Sequence, residues 1–495
     1  MPAKQDPYDV LPYPCFPYPQ THPNRLAVMG ILHGMSPAPV ESCRVLEIGC
    51  SEGANLIPMA YAIPGSEFVG FDLARLPIEQ GQAAIRELGL DNIRLFAADL
   101  LDVSSQLGRF DYIVAHGFYA WVPEPVRDRL LALCNELLAP QGIAFVSYNA
   151  MPGGHLRVML RDMMLHRAKG IEDLAQRETE ALHFLHWLAE ARSEDDVYRL
   201  LIERQLERME RRKPGGTYHD EMSAAYHPVY FSQFVEHAQR HGLQYLCEAA
   251  LPPPTDPCYS SEALSAVRSQ AGDDVLEQEQ LLDFLRFRMY RETLLCRANL
   301  ALRRDFPAEC FEKLRFASQT TSAPGQTPDV RVFTRPGGGT MESNHPAVTG
   351  MLEELGKRWP VALTLDELAP RLAETGFPPG AAGAALLIRL AVSKMIELRA
   401  WRVPVAEAIS ARPRASACGR QEARTRGQAT TLLHLTIALE DPRVRALLDL
   451  LDGTRDRDRL LAAMKVAFPD APDVDLQEGI EASLRSLHTA AILEA

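Results

Sequence analysis

The sequence lacks paired cysteines, long apolar runs and an excess of positive charge, and each absence excludes a class of protein. Its nine cysteines stand singly, with no Cys-x-x-Cys pair, so neither a zinc finger nor a disulfide framework is predicted. No run of 18 apolar residues occurs, as a membrane-spanning helix would require. The net charge of −13 disfavours nucleic acids and anionic membranes as partners. The first 20 residues contain no apolar signal segment, and we therefore expect a cytoplasmic protein without membrane insertion.

The chain is long enough for several domains. At roughly 150 residues per domain, 495 residues predict about three, and 46% hydrophobic with 24% charged residues is an ordinary globular composition. As far as Asn149, apolar strand-like runs alternate with helical stretches, which predicts an α/β fold with a sheet covered on both faces. The candidate strands are RVLEIG (44–49), EFVGFD (67–72), IRLFAAD (93–99), YIVAHG (112–117) and IAFVSYN (143–149).

The pattern changes after the fifth strand. Residues 155–215 have helical spacing, whereas LQYLCEAAL (243–251) is typical of a strand that continues the same sheet, so the helices between them are predicted to be an inserted cap. Residues 276–305 are predicted to be helical, and the Ser-, Thr-, Pro- and Gly-rich stretch 318–345 is the predicted linker. The predicted domains are a sheet domain (1–154 with about 216–270), the cap (155–215), a helical middle segment with linker (271–335) and a C-terminal domain (340–495).

The C-terminal domain carries a faint internal repeat. Each half follows the order helix, Thr-initiated helix, helix and short strand, which predicts two winged-helix-like units. Thr364 and Glu367 have the spacing of a capping box, and Thr454 occupies the comparable position in the second unit. Several arginines lie between the units, and they indicate either a solvated loop or a docking site for an acidic partner. They are Arg412, Arg414, Arg420, Arg424 and Arg426.

The strongest chemical signal is RVLEIGCSEGANL followed by EFVGFD. The first strand ends in a turn that contains Gly49 and Gly53, and glycines allow a backbone to approach a ligand closely. Asp72 ends the second strand, where a carboxylate can accept hydrogen bonds from ribose hydroxyls. Asp99 ends the third strand and is suited to an adenine amine. These positions predict a nucleoside-containing cofactor.

The same turn argues against a nicotinamide cofactor. A G-x-G-x-x-G fingerprint that begins at Gly49 would need glycines in place of Ser51 and Ala54, and Glu47 would repel a pyrophosphate. An acidic lining suits a cofactor with a cationic sulfonium, which is S-adenosylmethionine. The predicted cofactor residues here are Glu47, Gly49, Cys50, Ser51, Gly53, Asn55, Asp72, Leu73, Ala98, Asp99, Leu100 and His116.

The sequence also resembles a known family. The motifs E-I-G-C-x-E-G-x-N-L and A-A-D resemble class I, Rossmann-like methyltransferases, and YPQTHPNRLA, HGFYAWVPEPVRD and HPVYFSQFVEHAQRHGLQYL resemble bacterial protein-lysine methyltransferases of the rickettsial outer-membrane-protein type, with a methyltransferase regulatory domain. The resemblance implies a cytosolic homodimer that methylates lysines of protein substrates. It also implies that Gln20, Thr21 and His22 fold over the cofactor as an N-terminal strap. The chain departs from the family at Ser51, where a glycine is expected, and at Gly154, where a tryptophan is expected.

Residues that follow the fourth and fifth strands are the candidates for contact with the reacting methyl group. Aromatic rings could hold a sulfonium or the stem of a lysine, and hydroxyl or amide groups could orient its amine. For Trp121 the alternative is a packing role, and for His116 it is a structural histidine. The candidate catalytic residues are His116, Tyr119, Trp121, Tyr148 and Asn149.

Two other functions remain open at this point. A small-molecule methyltransferase would use the same fold, and a regulatory or scaffold protein would bind the cofactor without turnover. A metal site is not predicted: the pairs His183/His186 and His237/His241 have no carboxylate or cysteine beside them in a ligand pattern.

Overall fold

The computed structural model describes residues 15–211, 216–223, 225–251 and 260–495, which include the predicted N-terminal strap. A seven-stranded sheet has the order β3-β2-β1-β4-β5-β7-β6. Neighbouring strands are parallel from β3 to β5, whereas β7 is antiparallel to both β5 and β6. The strands are β1 (Arg44–Ile48), β2 (Glu67–Asp72), β3 (Ile93–Ala97), β4 (Phe110–Ala115), β5 (Leu138–Asn149), β6 (Leu243–Glu248) and β7 (Tyr290–Arg297). The predicted α/β class is confirmed.

Helices cover both faces of this sheet, which is why its strands are apolar on both sides. The face that carries Val45 and Phe145 is called the front face here, and the face that carries Ile113 and Tyr148 the back face. The first helices are α1 (Pro23–Leu32), α2 (Leu56–Ala62) and α3 (Arg75–Leu88), which pack on the front face, and α4 (Glu124–Leu137), which packs on the back face.

The predicted cap is a set of helices between β5 and the back-face helix that precedes β6. Leu160, Leu185 and Ile202 form the centre of its own apolar core. Its helices are α5 (Gly154–Arg167), α6 (Leu174–Glu190), α7 (Val197–Glu210) and α8 (Gly216–Met222). Residues 212–215 of the predicted insertion lie outside the described residues. The following helix α9 (Phe231–Arg240) leads into β6, so the strand predicted at 243–251 does continue the main sheet.

The prediction of a continuous helix over 276–305 is wrong. After α10 (Ser261–Ala271), helix α11 (Val275–Arg286) ends where Phe287 takes a left-handed φ of 48°. The chain then forms β7, which lies in the sheet between β5 and β6. A strand buried on both faces has no two-residue periodicity, so its apolar residues can imitate helical spacing.

The stretch 318–345 is not a simple linker. Beyond the short helix α12 (Ala308–Glu312) and strand β8 (Arg315–Ala317), it contains a three-stranded antiparallel sheet in which β10 lies between β9 and β11. Its glycines and prolines belong largely to the turns of that sheet, where such residues are favoured. The strands are β9 (Thr321–Pro324), β10 (Arg331–Thr334) and β11 (Thr340–Ser343).

The predicted repeat corresponds to two units with the same strand pairing. In the first unit, β8 pairs with β12 and β13, and in the second, 414–415 bridges to Asp452 and Leu493. The first unit contains α13 (Pro346–Arg358), β12 (Leu363–Thr364), α14 (Leu365–Glu374), α15 (Gly380–Val392) and β13 (Glu397–Arg399). The second contains α16 (Ala417–Arg426), β14 (Gln428–Thr430), β15 (Thr436–Ala438), α17 (Pro442–Leu450), α18 (Arg457–Ala467) and α19 (Asp473–Thr489).

One cap was predicted correctly and the other was not. Thr364 and Glu367 form the reciprocal capping box of α14. Helix α18 is capped instead by Asp456, whose carboxylate accepts from the amide of Arg459 at 3.1 Å. Thr454 donates its hydroxyl to Asp452. An aspartate two residues later is an equally good cap, and the sequence spacing alone does not distinguish them.

The arginine-rich segment between the units is neither a solvated loop nor an open docking site. Most of it forms α16, which packs beside α2 of the sheet domain. Side chains on both sides join the C-terminal region to the sheet domain. These contacts are Arg426 to Glu52 (3.0 Å), Arg424 to Glu87 (3.1 Å) and Tyr61 to Glu494. The acidic partner of these arginines is therefore within the chain.

Candidate active site

The turn after β1 has the conformation that its glycines predict. Gly49 and Gly53 take φ values of 75° and 74°, and Ser51 between them takes 48°, which is unusual for a residue with a side chain. The amide of Ser51 donates to Oδ2 of Asp72 at 2.8 Å, and the amide of Ala74 donates to Oδ1 at 2.9 Å. These bonds hold the Asp72 carboxylate at the rim of the turn. The departure at Ser51 is thus accommodated without loss of the turn.

Glu47 lies beneath this turn with half of its carboxylate unsatisfied. Its side chain is 3% exposed, and Oε1 accepts from Nδ2 of Asn55 at 2.9 Å. Oε2 is buried and has no hydrogen-bond partner among the described residues. Burial raises the pKa of Glu47 to about 8, an effect that Asn55 opposes and Asp72 reinforces. A buried carboxylate with one unsatisfied oxygen favours a cationic ligand, and the amino group of S-adenosylmethionine is such a cation.

Asn55 connects the turn to the N-terminal strap. Its Oδ1 accepts from the backbone amide of Tyr18 at 2.9 Å, and its Nδ2 lies 3.0 Å from Oγ1 of Thr21. The strap is therefore fastened beside the predicted cofactor site, as the resemblance implied for Thr21. His22 differs, because its Nδ1 accepts from the amide of Asn24 and its ring lies edge-on to His434 in the C-terminal region. It caps α1, and its contact with the cofactor stays a prediction.

The other predicted cofactor residues lie around the same edge of the sheet. Asp99 accepts from the amide of Leu101 at 2.9 Å and so caps the turn after β3. Leu73 is 63% exposed directly after Asp72, where an apolar side chain could cover a nucleoside. Ala98 is partly buried and Leu100 buried in the back-face core. The Cys50 thiol is buried beneath the turn, and burial raises its pKa well above the ordinary value.

A second group of polar side chains converges on the front face at the ends of β4, β5 and β7. The ring of His116 stacks on Tyr18 of the strap at 3.6 Å between centroids, and the Tyr290 hydroxyl lies 3.3 Å from its Nε2. Ser147 accepts from the amide of Gly117 at 2.7 Å. Burial lowers the pKa of His116 to about 4, so the imidazole is neutral at physiological pH.

Asn149 and Glu292 complete this group. Asn149 is 4% exposed, and its buried Oδ1 has no hydrogen-bond partner among the described residues. It lies opposite Tyr290 in the β5–β7 register, as Ser147 lies opposite Glu292. The carboxylate of Glu292 accepts from Nε2 of Gln20 in the strap at 2.8 Å. Burial raises the pKa of Glu292, and the bond from Gln20 partly offsets that rise.

Three of the five candidate catalytic residues do not join this group. Tyr148 points to the back face, where it stacks on Phe234 at 4.1 Å and its hydroxyl lies 3.3 Å from Oγ1 of Thr293. Tyr119 is also in the back-face core. Trp121 packs against Tyr226, at 5.0 Å between ring centroids, near the cap. Since successive residues of a strand face opposite sides, Asn149 reaches the front face and Tyr148 cannot.

Sequence reasoning missed Tyr290 and Glu292 because it assigned β7 to a helix. A strand assignment would have placed both on one face, two residues apart. Ser147 was missed because it does not stand at the end of its strand.

Three family models match parts of this chain. The family model described as "Methyltransferase domain" matches residues 45–142, which contain β1 to β4 and the turn at Gly49. The model "Predicted methyltransferase regulatory domain" matches 217–297, and "PKMT, C-terminal winged helix domain" matches 411–471. The regulatory match contains β6 and β7, so it supplies two strands of the main sheet instead of the separate middle segment expected at 271–335.

Related proteins decide the family. The uncharacterized protein RP028 of Rickettsia prowazekii is 34% identical over 242 residues, which are 48% of this chain and 96% of that protein. The chain belongs to this rickettsial-type family of class I methyltransferases. A second relative in that organism, RP789, is 32% identical over 314 residues, or 63% of this chain, and the chain spans only 56% of its length.

A solved structure has the same fold along nearly the whole chain. PKMT2 from Rickettsia typhi in complex with AdoHcy has a TM-score of 0.84 at 24% identity, over 97% of this chain and 100% of that chain. The cofactor of the methyltransferase family is S-adenosylmethionine, and the unsatisfied Glu47 carboxylate, the Asp72 carboxylate and the Gly49–Gly53 turn fit it.

Proposed function

We propose that this protein transfers the methyl group of S-adenosylmethionine to the side-chain amine of lysine in a protein substrate. The observation that carries the proposal is the buried Oδ1 of Asn149 beside Tyr290 and His116, which has no hydrogen-bond partner in the part of the chain that the structure describes. A methyl-accepting amine can donate a hydrogen bond to that oxygen, whereas the carboxylate of a small acid has no proton to donate and would be repelled by it. The match to the PKMT winged helix domain supports the choice of lysine.

Residues at and around the turn after β1 would hold the cofactor. Glu47 would pair with its amino group, Asp72 would accept from its ribose, and the turn at Gly49 would allow close approach of the backbone. Bound there, S-adenosylmethionine supplies an electrophilic methyl group on a sulfonium sulfur. No metal is needed for this displacement, so positioning and exclusion of water are the tasks of the protein.

The front-face group would prepare the acceptor. Lysine attacks only as the neutral amine, and a partly buried, aromatic environment favours that form. Asn149 would accept one N–H and so orient the lone pair, while Tyr18 and Tyr290 would flank the aliphatic stem. Glu292 is the carboxylate of this group and, with its raised pKa, is suited to receive the proton that the lysine loses. His116 is neutral and acts as a hydrogen-bond partner of Tyr290.

The strap gives the site its cover. Tyr18 of the strap stacks on His116, and Gln20 donates to Glu292. The lysine amine would therefore lie between the strap and the strand ends. We also expect a cytoplasmic homodimer without nucleic-acid partners. Light scattering of the purified chain tests whether it is a dimer. Among the described residues, none of the helices is long and apolar enough to cross a lipid bilayer.

Labelled transfer tests the function. The purified chain is incubated with methyl-labelled S-adenosylmethionine and a fractionated lysate of the source cell, and the label is followed in protein and in small molecules. We expect label in protein, in amounts that fall with Asn149→Ala and persist with Tyr148→Phe. Label only in small molecules would support the alternative methyltransferase, and cofactor binding without any label would support a regulatory scaffold.

A further inference from the structure

A cluster of possible metal ligands lies on the back face, apart from the site described above. Asp128 is on α4, His237 is on α9, and His241 directly follows α9. Oδ1 of Asp128 lies 3.2 Å from Nε2 of His237 and 2.8 Å from Nε2 of His241. All three donor atoms lie within 4.8 Å of one another. The fold thus adds a carboxylate to a histidine pair that has none in a ligand pattern beside it in the sequence.

The separations suit a tetrahedral metal ion. With metal–ligand bonds of about 2.0–2.1 Å, donors around tetrahedral zinc are roughly 3.3 Å apart. The carboxylate oxygen already stands near that distance from both imidazole nitrogens, so small side-chain rotations could admit an ion. Asp128 is largely exposed, which leaves an open side for water as a fourth ligand.

His237 has the support that metal-binding histidines usually have. Its other ring nitrogen, Nδ1, lies 2.8 Å from the buried Tyr119 hydroxyl. Such a partner fixes the ring orientation and the tautomer of a ligating histidine. With an ion bound at Nε2, the ring proton would be on Nδ1 and would be donated to the Tyr119 oxygen. Without an ion, both Nε2 atoms can instead donate to Asp128.

We propose that Asp128, His237 and His241 form a binding site for a divalent transition-metal ion of the zinc type, which joins α9 to α4. Two nitrogen ligands and one oxygen ligand favour zinc or cobalt(II) over magnesium or calcium, which prefer oxygen ligands. The metal site lies on the back face next to Tyr119 and takes no part in methyl transfer. Its expected role is to stabilise the packing of the two helices.

The test uses the full chain after treatment with a chelator. Cobalt(II) is titrated while its visible d–d absorption is recorded, and Zn²⁺ is titrated by calorimetry. We expect one ion per chain at this site, with affinity at least 10-fold lower in His241→Gln and in Asp128→Asn and about 10-fold lower in Tyr119→Phe. Zn²⁺ should also raise the unfolding temperature of the unaltered chain and not that of His241→Gln.

His186→Gln is the matched control, because His186 has one carboxylate partner, Glu210, at 2.8 Å and belongs to no three-residue cluster among the described residues. It should leave the titration unchanged. Equal cobalt binding by His241→Gln and the unaltered chain, sulfur-to-cobalt charge-transfer bands, or no binding by the unaltered chain would each overturn the proposal. Circular dichroism of each variant shows whether lost binding reflects lost folding.

Discussion

Nε2 of His434, in the C-terminal region, lies 2.8 Å from Oδ1 of Asn55, beside the predicted cofactor site. Both side chains are buried, and Asn55 in turn donates to Glu47. Burial lowers the pKa of His434 well below its ordinary value, so the ring is neutral, and its Nε2–H donates to the Asn55 oxygen. The C-terminal winged-helix region is thereby connected to the carboxylate that we assign to the cofactor amino group.

Removal of His434 should weaken cofactor binding. His434→Ala removes a hydrogen bond to the buried Asn55, which in turn bonds to Glu47. We therefore expect S-adenosylmethionine to bind about 1–2 kcal/mol more weakly, as measured by calorimetry. His434→Gln retains a donor and should recover much of that loss. Unchanged affinity in a folded His434→Ala variant would mean that the C-terminal region does not position the cofactor site.

Glu47 should make the cofactor-free protein less stable as the pH rises. Its pKa is about 8 in the folded chain, above its ordinary value of 4.5. The folded state therefore holds the proton more tightly, and this contribution to stability is present below pH 4.5 and is lost as the pH rises through about 8. Urea unfolding at several pH values should show a smaller decline for Glu47→Gln. An identical decline in both proteins would contradict the assignment.

A rise in pH should have the opposite effect on cofactor binding, which it should strengthen. The cofactor amino group needs an ionised Glu47, so affinity for S-adenosylmethionine should increase from pH 6 towards pH 8 in the unaltered chain. Glu47→Gln should bind about 1.5–3 kcal/mol more weakly and without that increase, because a hydrogen bond to a charged group is lost. Calorimetry at both pH values measures this, and Glu67→Gln, an exposed carboxylate of the same sheet, is the control.

Two tyrosines on neighbouring strands should differ in their effect on turnover. Tyr290→Phe removes the hydroxyl at His116 on the front face and should lower kcat about 10-fold, or ~1.4 kcal/mol, with cofactor affinity retained. Tyr148→Phe removes a hydroxyl on the back face and should leave kcat nearly unchanged. Steady-state kinetics of both variants measure the two losses of kcat. A larger loss in Tyr148→Phe than in Tyr290→Phe would indicate that Tyr148 belongs to the active site.

Arg291 should be a major source of stability. It is fully buried on the back face and pairs with Asp283 at 2.7 Å, Glu248 at 2.8 Å and Glu279 at 3.0 Å. Arg291→Met removes the buried cation, leaves Asp283 and Glu248 with Arg288 as their remaining arginine partner, and should cost about 3–5 kcal/mol in the free energy of unfolding. Arg303→Met, which breaks an exposed pair with Asp305, should change it little. Urea denaturation measures both, and similar effects would contradict this interpretation.

Much of the cofactor half of the site could be predicted from the sequence, and less of the acceptor half. Gly49, Gly53 and Asp72 stand at fixed places in a strand–turn–helix unit, so local rules locate them. Tyr290 and Glu292 reach the site only because β7 inserts between β5 and β6, a long-range pairing that leaves no local periodicity. The error at Tyr148 has a simple cause: adjacent residues at a strand end face opposite sides, and the choice between it and Asn149 depends on register.

Contacts between distant segments are the part that the sequence conceals most fully. His434 and Asn55 are 379 positions apart, and nothing local marks either as the other's partner. Asp128 lies 109 positions before His237, so the sequence around the histidine pair does not reveal this carboxylate as a possible third ligand. Arg424 and Arg426 of α16 similarly find acidic partners on the sheet domain. In each case, packing of whole elements brings together residues whose types were visible from the start.

The most direct test of the account is the identity of the methylated atom. Protein labelled by the purified chain with methyl-labelled S-adenosylmethionine is hydrolysed to amino acids, and the labelled residue is identified by mass spectrometry. We predict N-methylated lysine, formed by the unaltered chain and by Tyr148→Phe and strongly reduced with Asn149→Ala. Label on another residue type, or equal amounts of methyl-lysine with Asn149→Ala, would contradict the proposed acceptor site.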